Sequence, residues 1–114
     1  MEVIPQTLSL YQTPEKRVPF RDWMSSLKDT QTKAIIQARL NRLELGNFGN
    51  CKAVGQGVLE LKINAGPGYR VYLGREGKSV VILLCGGDKG SQQKDIEQAH
   101  RYWKEYQNHE NRSL

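Results

Sequence analysis

The sequence is poor in the residues and segments that define several protein classes. It has two cysteines and two histidines in 114 residues, and none of them has a close Cys or His partner at a metal-ligand spacing. No apolar run approaches the roughly 20 residues that a bilayer-spanning helix needs, and the N-terminal segment lacks the apolar core of a secretory signal. We therefore expect a cytoplasmic protein with reduced cysteines, no cofactor and no membrane association.

The composition fits one small globular domain over residues 1–114, with a frayed tail at residues 107–114. The chain is long enough to bury a single core and too short for two, and its 38% hydrophobic and 25% charged residues are ordinary. The net charge is +5, and residues 49–94 hold seven Lys or Arg against three acids. This basic excess indicates an anionic partner, such as nucleic acid or an acidic protein, or else a solvated basic surface.

The stretch from Val58 to Asp95 has the clearest strand signals. Apolar runs at residues 58–63, 69–73 and 79–85 are joined by GPG and REGK, which are too short for a helical crossover. They predict an antiparallel meander. The third run is apolar on both faces, which is typical of a central strand. A short edge strand is expected within residues 3–11, where Pro5 lies, and a loop with at most a fragment of strand at residues 46–57.

Three helices are expected around this sheet, so the predicted fold is α+β, with two N-terminal helices packed on the sheet and a C-terminal helix. The first begins at Pro19, the second is capped by Asp29 and ends near Leu45, and Ser91 caps the third. Apolar residues at helical spacing supply their buried stripes: Phe20, Trp23, Met24 and Leu27, then Ile36, Leu40 and Leu43, then Ile96, Ala99, Trp103 and Tyr106.

Alternation along the first two strands of the meander separates a core face from a polar face. Leu59, Leu61, Ile63, Tyr69, Val71 and Leu73 point to the core. Glu60, Lys62, Arg70 and Tyr72 share the other face, near Lys89. These residue types suit RNA phosphodiester cleavage. Arginine holds a phosphate bidentately, a carboxylate can take the 2′ proton, and Tyr72 or a lysine can protonate the leaving oxygen. Cross-strand charge pairing on a wet face is the alternative.

Further basic residues are candidates for RNA contacts. Lys52 lies in the loop before the meander, Lys94 follows it, and Arg39 and Arg42 flank the buried stripe of the second helix, giving it a partly basic outer surface. Each of them also fits a solvated surface. The GGDKGS segment lacks the spacing and the parallel strand of a phosphate loop, so nucleotide binding is rejected.

The motifs VLELKI, GPGYRVYL and VVILLCGGDKGSQQKDI, preceded by LNRLELGNFGNCKAVGQG, resemble the RelE/ParE toxin superfamily, in particular its HigB-like addiction module killer branch. The resemblance runs from about Phe20 to Trp103. It implies a RelE-like fold, an antiparallel sheet with two N-terminal helices. It also implies metal-independent cleavage of mRNA in the ribosomal A site, and a helix-turn-helix antitoxin that brings the pair to operator DNA.

The resemblance carries over to particular residues of this chain. Lys62 matches the second of two basic residues on the VLELKI strand, whereas Glu60 stands at the first. Arg70 matches the arginine after Gly-Tyr, and Lys89 the basic residue after the next strand. A C-terminal catalytic tyrosine found in some members has no match here. Asp88, Lys94 and Asp95 are therefore further candidates for the acid and base.

Three functions remain open at this point. The first is a type II toxin that cuts mRNA on the translating ribosome and is neutralised by its antitoxin. The second is an inhibitor of DNA gyrase, like the ParE branch, which shares the implied fold and needs no catalytic set. The third is an inactive homologue that acts as a binding partner or co-repressor.

Overall fold

The computed structural model of the chain describes residues 3–112. In chain order its elements are β1 (Thr7–Leu10), α1 (Pro19–Ser26), α2 (Thr30–Glu44), β2 (Cys51–Ala53), β3 (Val58–Ile63), β4 (Tyr69–Glu76), β5 (Val80–Asp88), a single 3₁₀ turn (Lys89–Ser91) and α3 (Gln92–Arg112). The fold is therefore α+β, with three helices and five strands in this part of the chain.

The five strands form one mixed sheet in the order β1-β5-β4-β3-β2. The antiparallel pairing of β3 with β4 and of β4 with β5 agrees with the predicted meander. A pure meander is nevertheless wrong for the whole sheet, because β1 pairs in parallel with β5. The short turns between residues 58 and 85 determine the local pairing. They carry no information on a strand that lies some seventy residues earlier in the chain and reaches β5 from the other side.

Helices cover both faces of this sheet. On one face, α1 and α2 pack against Leu61, Ile63, Val71 and Leu73, as the alternation predicts. On the other face, α3 places Ala99 and Trp103 over Val58, Tyr72, Ile82 and Leu84. The arrangement of the helices thus differs from the expectation, because α3 lies on the face of Tyr72, opposite α1 and α2. Both faces of the central strands β3, β4 and β5 are covered.

Sequence signals near the helix ends are largely confirmed. Pro19 is the first residue of α1, and the Asp29 carboxylate accepts a hydrogen bond from the Gln31 N–H at the start of α2. At the start of the third helix, however, it is the Asp88 side chain that accepts from backbone N–H groups, through the 3₁₀ turn. The helix then continues through Arg112, well into the segment predicted to be frayed. Residues 113 and 114 lie outside the described residues.

Two tryptophans pack directly on glycines of the sheet. A Cβ atom on Gly74 would meet the Trp103 ring of α3, and one on Gly86 would meet the Trp23 ring of α1. Both contacts would be far closer than side-chain atoms tolerate. Glycine at these two positions therefore lets the helices approach the central strands from opposite sides.

Residues 3–112 lack two kinds of structural feature. None of the helices in this range has the combination of length and apolar composition that crossing a bilayer requires. The same residues bring no group of three or more His, Cys, Asp or Glu side chains together as a metal site.

The end of α2 offers a matched test of the core. Leu43 is fully buried, whereas Leu45, two residues later, is 71% exposed. Leu43→Ala should lower the free energy of unfolding by about 2–5 kcal/mol, because it leaves a cavity in the core. Leu45→Ala should change it by about 0.5 kcal/mol or less. Urea unfolding followed by circular dichroism measures both, and equal losses would contradict this packing.

Candidate functional site

The carboxylate of Glu60 lies at the centre of a buried polar network between the sheet and α3. Glu60 on β3 pairs with Tyr72 on β4, and the two residues are 1% and 0% exposed. The Tyr72 hydroxyl donates to Oε2 of Glu60 over 3.1 Å. The side-chain amide of Gln92 donates to the same oxygen over 3.0 Å. These donors make it possible to bury the carboxylate, which without partners would be strongly destabilising.

Glu60 and Tyr72, which the sequence suggested as catalytic residues on one face of the sheet, are therefore both enclosed. Alternation assigned the two residues to the correct side of the sheet, but the first turns of α3 cover them. In this arrangement neither side chain is accessible to a substrate. Glu60 and Tyr72 instead stabilise the polar network between the sheet and α3.

Arg70 is the buried cation of the network. It pairs with Lys62 across β3 and β4, and it is 6% exposed. Its Nε atom lies 4.0 Å from Oε1 of Glu60, which is a charge contact and not a hydrogen bond. Nε and Nη1 are both buried and have no hydrogen-bond partner within residues 3–112. An unpaired buried donor costs about 1–3 kcal/mol, so an acceptor that reached either of these enclosed atoms would be stabilising.

Arg70 borders a shallow surface pocket of about 390 Å³, which we call the Arg70 depression. Its walls are Lys62, Asn64, Ala65, Gly66, Pro67, Gly68, Arg70 and Lys89. Lys62 and Lys89 are exposed, and none of these lining residues is acidic. Three of the five residues predicted as catalytic thus meet at one place. Their charge suits an anion such as a phosphate.

The GPG turn shapes one wall of this depression. Gly66 and Gly68 have φ angles of 48° and 86°, which glycine adopts without strain. The Lys89 N–H donates to the Gly68 carbonyl over 3.1 Å, so the turn is tied to the end of β5. A Cβ atom on Gly68 would lie 3.6 Å from Nη1 of Arg70. This is an ordinary van der Waals distance, so the turn lies directly against the guanidinium, whose Nη1 atom is buried there.

The other predicted RNA contacts are not part of the depression. Lys52 lies on β2 opposite Glu60, with its side chain 66% exposed and its Nζ atom 3.8 Å from Oε1 of Glu60. Arg42 on α2 and Lys94 on α3 are exposed, and neither lines the depression.

Arg39 has a structural role, so its predicted place on an outer surface is wrong. It is 5% exposed, and its Nη2 atom donates to the carbonyls of Phe48 and Asn50 over 2.7 and 3.2 Å. Burial lowers the pKa of its guanidinium, and the nearby charge of Arg42 lowers it further. Arg39 follows Ile36 by three positions and precedes Leu43 by four, so helical spacing puts it on the buried side.

The two aspartates named as further acid or base candidates support the junction of β5 and α3. Asp88 accepts hydrogen bonds from the Gly90 and Ser91 N–H groups at the 3₁₀ turn. Asp95 accepts from the Ser91 hydroxyl, and burial raises the pKa of its carboxyl. Neither residue lines the Arg70 depression.

Gln92 is a site residue that the sequence reasoning missed. It precedes Ile96 by four positions, and Ala99 and Trp103 continue the same helical stripe. This spacing was available in the sequence and would have placed Gln92 on the face of α3 that meets the sheet. What it would not have revealed is that a buried carboxylate lies opposite.

Comparison with known proteins identifies the family. Residues 22–104 match the family described as "Phage derived protein Gp49-like (DUF891)". The chain belongs to this family. It is also 55% identical over 80 residues to an uncharacterized protein of Haemophilus influenzae, and the matched segment covers 70% of this chain and 81% of that protein. The match to the Gp49-like family includes β3, β4, β5 and every residue that lines the Arg70 depression.

The Glu60–Tyr72 hydrogen bond gives a prediction at alkaline pH. Burial raises the pKa of Tyr72, and the charge and hydrogen bond of Glu60 raise it further. An unfolded tyrosine loses its proton near pH 10, whereas Tyr72 in the folded protein keeps it. The free energy of unfolding should therefore fall as the pH rises above about 10. Tyr72→Phe lacks this ionisable hydroxyl, so its free energy of unfolding should fall less over the same pH range.

Urea unfolding of both proteins between pH 7 and pH 11, with tyrosinate absorbance, measures this difference. At pH 7 Tyr72→Phe should be less stable by about 1–3 kcal/mol, because the carboxylate loses a buried donor. Deprotonation of Tyr72 near pH 10 in the folded protein would show that the residue is not enclosed as described.

Proposed function

We propose that this protein is the toxin of a type II toxin–antitoxin pair, and that it cleaves mRNA on the translating ribosome. Membership of the Gp49-like family and the resemblance of the GPGYRVY and LLCGGDKGSQQKDI motifs to RelE/HigB toxins support a toxin. The observation that carries the proposal is the buried Arg70, which lines one pocket together with the exposed Lys62 and Lys89 and has two enclosed donors without partners. Such a cluster suits the phosphate of an RNA backbone.

The proposed reaction is transesterification at one phosphodiester. The ribose 2′ oxygen bonds to phosphorus, and the bond from phosphorus to the 5′ oxygen breaks, so negative charge builds on the phosphoryl oxygens. Arg70 stabilises that charge, with Glu60 behind it fixing the guanidinium. Lys62 or Lys89, both exposed, delivers the proton that the leaving 5′ oxygen needs.

The composition of the depression supports a dependence on the ribosome in this proposal. None of the described residues that line the depression carries a carboxylate or imidazole that could accept the 2′ proton, and Glu60 is enclosed. We therefore assign removal of that proton to a group of the ribosomal site. In this proposal the protein supplies positioning and charge, and the ribosome completes the catalytic set.

A cognate helix-turn-helix antitoxin is the expected protein partner. Acidic side chains of the antitoxin would suit the cationic Arg70 depression. An antitoxin that covers the depression would keep RNA out of it. The pair would then reach operator DNA through the antitoxin. A cytoplasmic location fits both the ribosome and the antitoxin as partners.

Replacement of Arg70 tests the proposal in a translation extract. Wild-type protein should cut messages within translated regions when ribosomes are present and leave naked RNA intact. Arg70→Ala should reduce the cleavage rate by about 10²-fold or more, as for other lost charge-stabilising donors. Primer extension on the message measures the cuts.

Arg21→Ala is the matched control, because Arg21 is exposed on α1 and does not line the depression. It should cleave as wild type does. Arg70→Lys keeps the charge and loses the planar donor pair, so it should retain partial activity. Circular dichroism establishes that each variant is folded. Growth arrest with intact messages would rule out the nuclease.

The enclosure of Glu60 and Tyr72 favours a second candidate, a toxin that binds its target without cutting RNA. DNA gyrase is the target of the ParE branch, and inhibition of this kind needs no general base. A supercoiling assay with purified gyrase separates the two candidates. A third alternative, a binding partner or co-repressor without toxicity, would be favoured by normal growth when the protein is overexpressed without its antitoxin.

A further inference from the structure

A second pocket adjoins the Arg70 depression at Asn64. It has a volume of about 290 Å³ and lies between the outer side of α2 and the end of β3, so we call it the α2 pocket. Its walls are Ile35, Arg39, Arg42, Asn47, Gly49, Asn50, Ile63 and Asn64. Asn64 lines both pockets. The two pockets are therefore neighbours on one surface, and one extended ligand can contact both.

The chemistry of the α2 pocket suits a nucleotide. Arg42 is exposed and offers a guanidinium that can pair with a phosphate or stack on a base. Asn47, Asn50 and Asn64 are also exposed, and each amide can both donate to and accept from a base edge. Ile35, which is 39% exposed, adds an apolar surface for a ring. No acidic residue is among the walls.

The walls of the pocket are stabilised by backbone hydrogen bonds and by a buried side chain, and not by its exposed side chains. The buried Arg39 guanidinium binds the Phe48 and Asn50 carbonyls from behind. The Asn47 N–H donates to the Arg42 carbonyl over 3.0 Å, and the Lys62 N–H donates to the Asn50 carbonyl over 3.0 Å. The last bond connects the pocket wall to the strand that carries Lys62 into the Arg70 depression. The two sites thus have a fixed relation to each other.

The charge around the pocket is also uncompensated. The pKa of Arg39 is lowered first by burial and then by the charge of Arg42. Two guanidinium groups therefore repel each other at this wall, and no acid lies between them among the lining residues. A bound anion would relieve this repulsion.

We propose that the α2 pocket binds the nucleotide next to the one whose phosphate lies at Arg70. Arg42 contacts the phosphate or the ring face of that nucleotide, and the asparagines contact its base edge. Asn64 lies where the two nucleotides meet. The inference rests on the proposed function, and it adds that the protein holds at least two consecutive nucleotides of single-stranded RNA and selects among bases at one of them.

Binding of uncleavable 2′-O-methyl RNA by fluorescence anisotropy at low salt tests this inference. Wild-type protein should bind a hexanucleotide more tightly than a nucleoside monophosphate. Arg42→Gln should weaken hexanucleotide binding by about tenfold and lower the salt slope by about 0.7, as expected for one lost phosphate contact. Binding of the monophosphate should stay unchanged, because that ligand occupies the Arg70 depression alone.

Base selectivity provides an independent readout. Asn47→Ala should reduce the differences in affinity among adenine, cytosine and uracil hexanucleotides, since Asn47 lines the α2 pocket and not the Arg70 depression. Arg21→Gln, an exposed change on α1, is the control for lost charge and should bind as wild type does. Arg70→Lys should weaken both the hexanucleotide and the monophosphate.

The possible failures can be told apart. If Arg42→Gln and Asn47→Ala bind every hexanucleotide as the wild type does, the α2 pocket is not a nucleotide site, and the proposed function is unaffected. The inference is also overturned if Arg42→Gln weakens the monophosphate as much as the hexanucleotide, because the pockets would then not be separate sites. If the folded wild-type protein binds no RNA of any length in the absence of ribosomes, the inference is wrong, whereas the proposed function is decided separately by cleavage in the translation extract.

Discussion

The structure depends on burying one carboxylate, that of Glu60, between the sheet and α3. An ionised carboxylate is tolerated in such a place only when donors and cations surround it. Here Tyr72 on β4 and Gln92 on α3 donate to it, and Arg70 and Lys52 place positive charge nearby. The network therefore constrains both the β3–β4 register and the position of α3. A slip of one residue along β3 would exchange this carboxylate for an apolar side chain.

The same constraint shapes the Arg70 depression. Lys62 is two positions from Glu60 on β3 and points to the same side of the sheet, but it is exposed where Glu60 is enclosed. Arg70 contacts the enclosed Glu60 on one side and borders the depression on the other. Two of its guanidinium donors, Nε and Nη1, are enclosed without hydrogen-bond partners among the described residues. A buried arginine has less side-chain freedom to lose on binding a phosphate than an exposed lysine, so Arg70 is better placed than Lys62 and Lys89 to orient one.

Local patterns predicted much of the fold, and the failures have a common cause. The turns GPG and REGK and the period-2 alternation correctly predicted β3, β4, β5 and their core face, since these features depend on neighbouring residues. The parallel pairing of β1 with β5 and the covering of Glu60 by α3 depend on segments distant in the chain. Alternation assigns a side chain to a face of a sheet, but it does not state what lies over that face. For the same reason Lys62, Arg70 and Lys89 were correctly grouped, whereas the enclosure of Glu60 and Tyr72 was not foreseen.

Two arginines on α2 show that counting charges in a sequence does not locate a cationic surface. Arg39 and Arg42 are three positions apart and carry the same charge, yet the first is buried against the carbonyls of Phe48 and Asn50 and the second is exposed. The buried guanidinium of Arg39 stabilises the wall of the α2 pocket, and the exposed guanidinium of Arg42 faces that pocket. The cationic surface that results extends from Arg42 past Asn64 to Lys62, Arg70 and Lys89. A cationic surface that spans two adjoining pockets can contact more than one phosphate of an extended polyanion, whereas a compact anion would occupy one pocket alone.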